Sequence, residues 1–258
     1  MLFKLLKYDF RAMWKQFSLV WGAALVLAFV NRFTLYSRPD APLGQENISS
    51  LMVLTFGAVL VAMFVIAIGF VINRFSRGLL GDEGYLMHTL PVRPWQLVAS
   101  KLICGTLTWL GCGAVAILSP VFMLPWNLPD LLQITFWGDL FRGLLKHPGT
   151  LLLMAEFLLV IISFIVQSIA VIYLAVSIGH LVSRHRKLAS VAAFIGLYIL
   201  LVNVYSRVFS YGFVHFLLDV TTTTSHGSML TVSATMLIPA FFLLAAVCWI
   251  LENKLNLE

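Results

Sequence analysis

Six long apolar runs, separated by short polar segments, organise this chain of 258 residues. Each run is continuous rather than alternating, a pattern that favours transmembrane helices over the strands of a β-barrel. A helix needs about 20 residues to cross the ~30 Å hydrocarbon layer of a bilayer. The runs cover residues 17–36, 48–72, 102–124, 151–179, 188–206 and 229–251. We therefore predict an all-α membrane protein in which residues 1–258 form a single domain with six transmembrane helices.

The composition agrees with a membrane location. The chain is 60% hydrophobic and 11% charged, whereas soluble domains carry roughly 25% charged residues. Its mean hydropathy is +0.96. One soluble core cannot bury so much apolar surface, so lipid must solvate part of it.

The residues before the first run have an amphipathic pattern. At 100° per residue, one arc carries Leu2, Phe3, Leu6, Phe10, Met13, Trp14 and Phe17, and the other carries Lys4, Lys7, Asp9, Arg11 and Lys15. This pattern predicts a helix over residues 1–16 that lies along the inner membrane surface. A simple topogenic anchor is an alternative compatible with the same pattern.

The distribution of basic residues predicts the orientation. With the N-terminus inside, 12 of the 17 Lys and Arg residues fall on the inner side, and the others are Arg32, Arg38, Arg142, Lys146 and Arg207. This bias follows the positive-inside rule, so we expect a multi-pass protein of the cell (cytoplasmic) membrane with both termini cytoplasmic. The net charge of +6 then reflects orientation and attraction to anionic membrane lipid, and we expect no nucleic-acid partner.

A polar segment from Gly81 to Lys101 separates the second and third runs. Asp82 is a good N-cap, and Glu83 suits the positive end of a helix dipole. Pro91 ends the short helix, and Pro94 suits the first turn of the next one. These residues predict a short helix across the inner face. The residues alone leave open whether it binds a soluble partner or rests on lipid.

The same segment resembles the first cytoplasmic loop of type-2 ABC export permeases. The matching residues are Glu83, Gly84, Tyr85, Leu86, Thr89, Leu90, Pro91, Val92, Leu97 and Lys101. In that family the loop forms a coupling helix that docks on the ATP-binding subunit. The resemblance implies that the ATPase-coupling residues here are Asp82, Glu83, Gly84, Tyr85, Leu86, Met87, His88, Thr89 and Leu90.

The resemblance also implies partners and cofactors. An ABC ATPase subunit, expected in two copies, would hold ATP and Mg, and a second permease subunit, identical or homologous, would complete the pathway. The chain has no GxxxxGK[ST] motif, so it is not expected to bind ATP in the P-loop manner, to carry catalytic residues or to need a cofactor itself. A non-transporting sensor or immunity protein that binds a peptide or lipid is the alternative function.

Polar residues inside the runs are candidates for a transport pathway. Glu156, Ser163 and Gln167 are separated by offsets of 7 and 11 residues, which return to within about 20° of one helix face. Asn203 in the fifth run is a further candidate. Two interpretations stay open: these side chains line a pathway, or they form hydrogen bonds between helices.

The cysteines and histidines do not indicate a metal site or a disulfide framework. Cys104 and Cys112 lie about 12 Å apart along one helix, too far to form a disulfide. His180 and His185 lack zinc-site spacing. Cys104, Thr108, Cys112 and Ala116 form an i, i+4 row, which predicts close packing of the third helix. An intramembrane enzyme would need a catalytic cluster at membrane depth, and the runs offer one carboxylate, Glu156.

Overall fold

The computed structural model describes residues 2–36, 46–80, 94–123, 148–182, 185–222 and 226–253. All the regular structure in these ranges is helical. The helices are α1 (Leu2–Tyr36), α2 (Glu46–Phe75), α3 (Pro94–Met123), α4 (Pro148–His180), α5 (Arg186–Thr222) and α6 (His226–Asn253). A π-helical segment, Ser76–Leu80, follows α2 directly.

Each of the six helices contains a segment long and apolar enough to cross a membrane. The segments are Leu5–Arg32, Leu51–Leu79, Pro94–Pro120, Leu151–His180, Arg186–Ser206 and Met229–Asn253. Large apolar side chains such as Leu19, Leu54, Ile117 and Phe164 are exposed within them, as expected where lipid replaces water. The prediction of an all-helical, multi-pass membrane protein with six spanning helices is confirmed.

The sequence predicted two segments at the N-terminus, an interfacial helix over residues 1–16 and a span over residues 17–36. The structure has one helix there. It runs without a break from Leu2 to Tyr36, because one buried stripe continues through the boundary. The stripe consists of Asp9, Met13, Phe17, Ala24, Ala28 and Asn31. Asp9, assigned to the polar arc, is buried, whereas Phe10 and Trp14 of the apolar arc are exposed. That residues 1–16 lie along the inner membrane surface stays a prediction.

The described helices form two compact units. The α1 unit contains Lys7–Phe70 and Leu107–Leu151, and its core joins α1, α2 and the second part of α3. Met13, Phe17 and Ala24 pack there with Met63, Ala67, Cys112 and Val115. The Trp21 indole donates a hydrogen bond from Nε1 to Cys112 Sγ at 3.4 Å. Together with buried Cys104 and Thr108, these contacts confirm the predicted packing row of the third helix.

The α4 unit contains Met1–Leu6, Val71–Thr106 and Leu152–Glu258. Among the six candidate spans in the described residues, that of α4 is the most buried, with 44% of its most apolar 18-residue stretch buried inside the protein. The ring of Tyr173 stacks on Phe75, with centroids 4.1 Å apart and planes 12° apart. A Cβ at Gly105 would lie 3.2 Å from the Ile169 side chain, so α3 approaches α4 closely at this glycine.

A short connection joins α4 to α5. The Leu181 amide bonds to the Ile178 carbonyl at 3.1 Å, and the Val182 amide bonds to the Gly179 carbonyl at 3.3 Å. A Cβ at Gly179 would overlap the Ser190 hydroxyl and lie 2.8 Å from the Arg186 carbonyl oxygen. Only a glycine therefore allows α5 to start this close to the end of α4. The span of α5 is the least buried of those in the described residues, with 6% of its most apolar 18-residue stretch buried.

Candidate functional site

The predicted coupling residues, Asp82, Glu83, Gly84, Tyr85, Leu86, Met87, His88, Thr89 and Leu90, lie outside the described residues. The helix ends on either side of them are described, and both are well packed. On the α2 side, Phe75 and Leu79 are fully buried, and on the α3 side Leu97 and Val98 are buried. Residues 81–93 thus connect two helix ends that are anchored in the α4 unit.

Lys101 and the π-helical segment lie next to each other at these helix ends. The Lys101 side chain is buried, and its Cε and Nζ lie 3.5 and 3.8 Å from the position of a Cβ at Gly78. A π-helical turn widens the backbone locally and is frequent at functional sites. A Cβ at Gly78 would be in ordinary van der Waals contact with the Lys101 side chain.

Glu156, Ser163 and Gln167 share a buried face of α4. Their exposed fractions are 7%, 1% and 6%, so the polar stripe faces protein rather than lipid, as is usual for polar groups at membrane depth. Ser163 donates its hydroxyl proton to the Leu159 carbonyl oxygen at 2.7 Å, which satisfies it within its own helix. The structure thus places the three predicted residues on one enclosed surface.

Gln167 is the unusual member of the stripe. Neither its Nε2 nor its Oε1 atom has a hydrogen-bond partner among the described residues, and both atoms are buried. Gln167 is 13 residues before the α4 terminus at His180, about 20 Å along the axis and hence near the middle of a bilayer. A buried amide without partners costs stability, so this position is a candidate for a group that binds something transiently.

Asn203 does not share the environment of the stripe. Its side chain is exposed, and its Nδ2 donates to the Ile199 carbonyl oxygen of the same helix at 2.8 Å. Sequence reasoning missed Ser177 on the same helix as the stripe; its fully buried hydroxyl has no partner in the described part of the chain. A serine in an apolar run ordinarily bonds to its own helix, so the sequence carries no signal that would distinguish this one.

The polar groups of α4 include one carboxylate, an amide and hydroxyls. Such groups can form hydrogen bonds either to a polar group of a ligand or to a neighbouring helix. Within the described residues, no three His, Cys, Asp or Glu side chains lie together as a metal site would require. Comparisons with protein-family models, with curated proteins and with solved structures gave no match to this chain.

Proposed function

We propose that this chain is the transmembrane subunit of an ATP-driven ABC exporter and works with a separate ATPase subunit. The observation that carries the proposal is the segment from Glu83 to Lys101, whose residues resemble the coupling loop of type-2 ABC export permeases. The six membrane-spanning helices are the number that such a subunit has. In this proposal the chain functions as a dimer with an identical or homologous permease subunit in the cell membrane, and both of its termini are cytoplasmic.

The packing of the α4 unit supports a mechanical path from that segment into the membrane. Phe75, near the end of α2, stacks on Tyr173 of α4. At Gly105, α3 packs closely against Ile169 of α4. Movement of residues 81–93 would therefore displace the two helix ends that contact α4, the helix that carries Glu156, Ser163 and Gln167.

The ATPase drives such movement only if its nucleotide states bind the coupling segment with different affinities. The segment proposed to bind the ATPase is Asp82 to Leu90. The side chains proposed to line the pathway are Glu156, Ser163, Gln167 and Asn203. Their other proposed role is packing between helices. The peptide- or lipid-binding sensor or immunity protein is the alternative function, and the same experiment distinguishes it.

The test is purification of the tagged full-length chain from its native membranes, followed by mass spectrometry and an ATP-hydrolysis assay. We expect an ABC ATPase to co-purify with the wild-type chain. Replacing Glu83→Lys together with Tyr85→Ala reverses a charge and removes an aromatic anchor, so the amount of bound ATPase should fall about tenfold or more.

The control is Lys187→Glu, which makes a charge change of equal size at an exposed position at the start of α5. It should keep the ATPase bound. Full assembly and ATP turnover in the Glu83→Lys, Tyr85→Ala variant would contradict the proposal. Co-purification of a peptide, with no ATPase, would favour the sensor or immunity function.

A further inference from the structure

A groove of about 420 Å³ lies in the α4 unit, between the beginning of α3 and the end of α6. Helix α3 contributes Trp95, Val98, Ala99 and Leu102, and helix α6 contributes Phe241, Leu244, Ala245, Cys248, Trp249 and Glu252. This volume is within the range of about 300–1,000 Å³ that is typical of small-molecule sites. Nine of these ten side chains are apolar or weakly polar, and Glu252 carries the single charge.

The position of the groove in the spanning segments indicates what surrounds it. Trp95, Trp249 and Glu252 line the same end of the groove. Trp is enriched at membrane interfaces and a carboxylate is costly in the hydrocarbon layer, so we place this end at the level of the lipid headgroups. From there the groove follows α6 from Glu252 back to Phe241, about 16 Å along the axis and into the hydrocarbon layer.

The groove is open to the surroundings of the helices. Trp95 and Trp249 are half exposed, and Phe241 is 70% exposed. Glu252 is exposed and forms no ion pair with another residue in the described ranges. An occupant that fits these walls has a hydrocarbon chain for the apolar length and a cationic hydrogen-bond donor for the carboxylate at the mouth.

We propose that this groove binds one acyl chain of a membrane phospholipid whose headgroup carries a primary ammonium, with Glu252 as the partner of that ammonium. The lipid comes from the leaflet at this end of the helices. Trp95 and Trp249 border its glycerol region, and Phe241 closes the deep end against the chain. This site does not depend on the proposed transport function.

The test is native mass spectrometry of the purified full-length chain in mild detergent with an equimolar mixture of phosphatidylethanolamine, phosphatidylcholine and phosphatidylglycerol. We expect the wild-type chain to retain phosphatidylethanolamine over phosphatidylglycerol by about three- to fivefold, the size of a partly exposed ion pair. Glu252→Gln should remove this preference, because it keeps the shape and deletes the charge. Ala245→Phe should lower retention of all three lipids by filling the groove.

A matched pair of aromatic residues provides the control. Phe241 lines the groove, whereas the adjacent Phe242, 67% exposed, does not. Phe241→Ala should reduce lipid retention, and Phe242→Ala should leave it unchanged. Maleimide labelling gives a second measurement, since Cys104 and Cys112 are buried while Cys248 is partly exposed in the groove. Phosphatidylethanolamine should slow the labelling of Cys248.

Three results would overturn the proposal. The first is equal lipid retention by Glu252→Gln and the wild-type chain. The second is retention that Ala245→Phe does not change. The third is a dimer mass in which Cys248 is protected without any added lipid, which would show that a second copy of the chain covers the groove.

Discussion

Gly111 of α3 lies directly against the indole ring of Trp21. A Cβ at this position would overlap the ring, and moving the ring would break its hydrogen bond to Cys112. The contact joins α1 to α3 within the core of the α1 unit. The absence of a side chain at residue 111 therefore permits this close approach of two helices.

We predict that Gly111→Ala lowers the free energy of unfolding by about 1–3 kcal/mol, the usual cost of overpacking a core. The measurement is thermal unfolding of the purified protein in detergent. Gly113→Ala is the control, because a Cβ there meets no atom within 4 Å. It should be neutral or stabilising by up to about 1 kcal/mol through helix propensity. Equal stability of the two variants would contradict the packing of Trp21 on Gly111.

Gln167 allows the two interpretations of the α4 stripe to be separated. Its amide atoms are buried without partners in the described structure, so Gln167→Met, which keeps the length and removes the polarity, should stabilise the protein by about 1 kcal/mol. Ser163→Ala should change stability less, because the serine hydroxyl is satisfied by Leu159. Unfolding in a denaturant titration measures both.

The effect of Gln167→Met on stability distinguishes the two roles proposed for the polar stripe of α4. Destabilisation by more than the Ser163→Ala change would show that the amide has a partner and acts as a link between helices. Stabilisation combined with a loss of the proposed transport would favour the proposed role in a pathway, since binding sites often retain polar groups at a cost in stability.

At the scale of elements, the connection between α4 and α5 depends on Gly179. The atoms that a Cβ would meet include the Arg186 carbonyl oxygen and the Ser190 Cα, both at 2.8 Å. Backbone atoms cannot rotate away as a side chain can. We predict that Gly179→Ala lowers the free energy of unfolding by about 3 kcal/mol, measured by thermal unfolding.

Gly196, in the first third of α5, is the matched control for Gly179. A Cβ at Gly196 meets no atom within 4 Å, so Gly196→Ala should leave stability unchanged or slightly raised. Adding Ser190→Ala to Gly179→Ala should restore only part of the loss, because the backbone overlap remains. Full recovery in that double variant would show that the serine hydroxyl alone limits the space.

The sequence was sufficient to predict the helices but not all of their ends. Continuous apolar runs identify six spans because lipid leaves the backbone few alternatives to a helix. The α1 and α3 spans begin earlier than predicted, at Leu5 and Pro94. Polar residues such as Asp9 and Lys101 suggested an aqueous boundary, yet both are buried in the fold. Hydropathy cannot anticipate that neighbouring helices will enclose a polar side chain.

The candidate site was predictable only in part for the same reason. Helical periodicity placed Glu156, Ser163 and Gln167 on one face, and the structure has them together and buried. Whether a given amide finds a partner depends on the packing of other helices. The three-dimensional arrangement was therefore needed to find that Gln167 has no hydrogen-bond partner among the described residues and that Trp21 packs on Gly111.

At the scale of the whole molecule, the distribution of basic residues predicts the topology. We expect both termini in the cytoplasm, because 12 of the 17 Lys and Arg residues fall on the inner side of the six apolar runs predicted from the sequence. Alkaline phosphatase fused after Glu258 should be inactive, and a green fluorescent protein at the same place should fluoresce. Phosphatase fused after Asp139, in the expected outer connection, should be active. The reverse pattern would contradict the orientation.

The sparse burial of α5 has a practical consequence. In the segment Arg186–Ser206 most side chains are exposed, and 6% of its most apolar 18-residue stretch is buried, so lipid or detergent surrounds most of this segment. Replacing the bilayer by detergent therefore changes the surroundings of this segment more than those of a span that other helices enclose. The choice between nanodisc and detergent is therefore a variable to be controlled in every stability measurement on this protein.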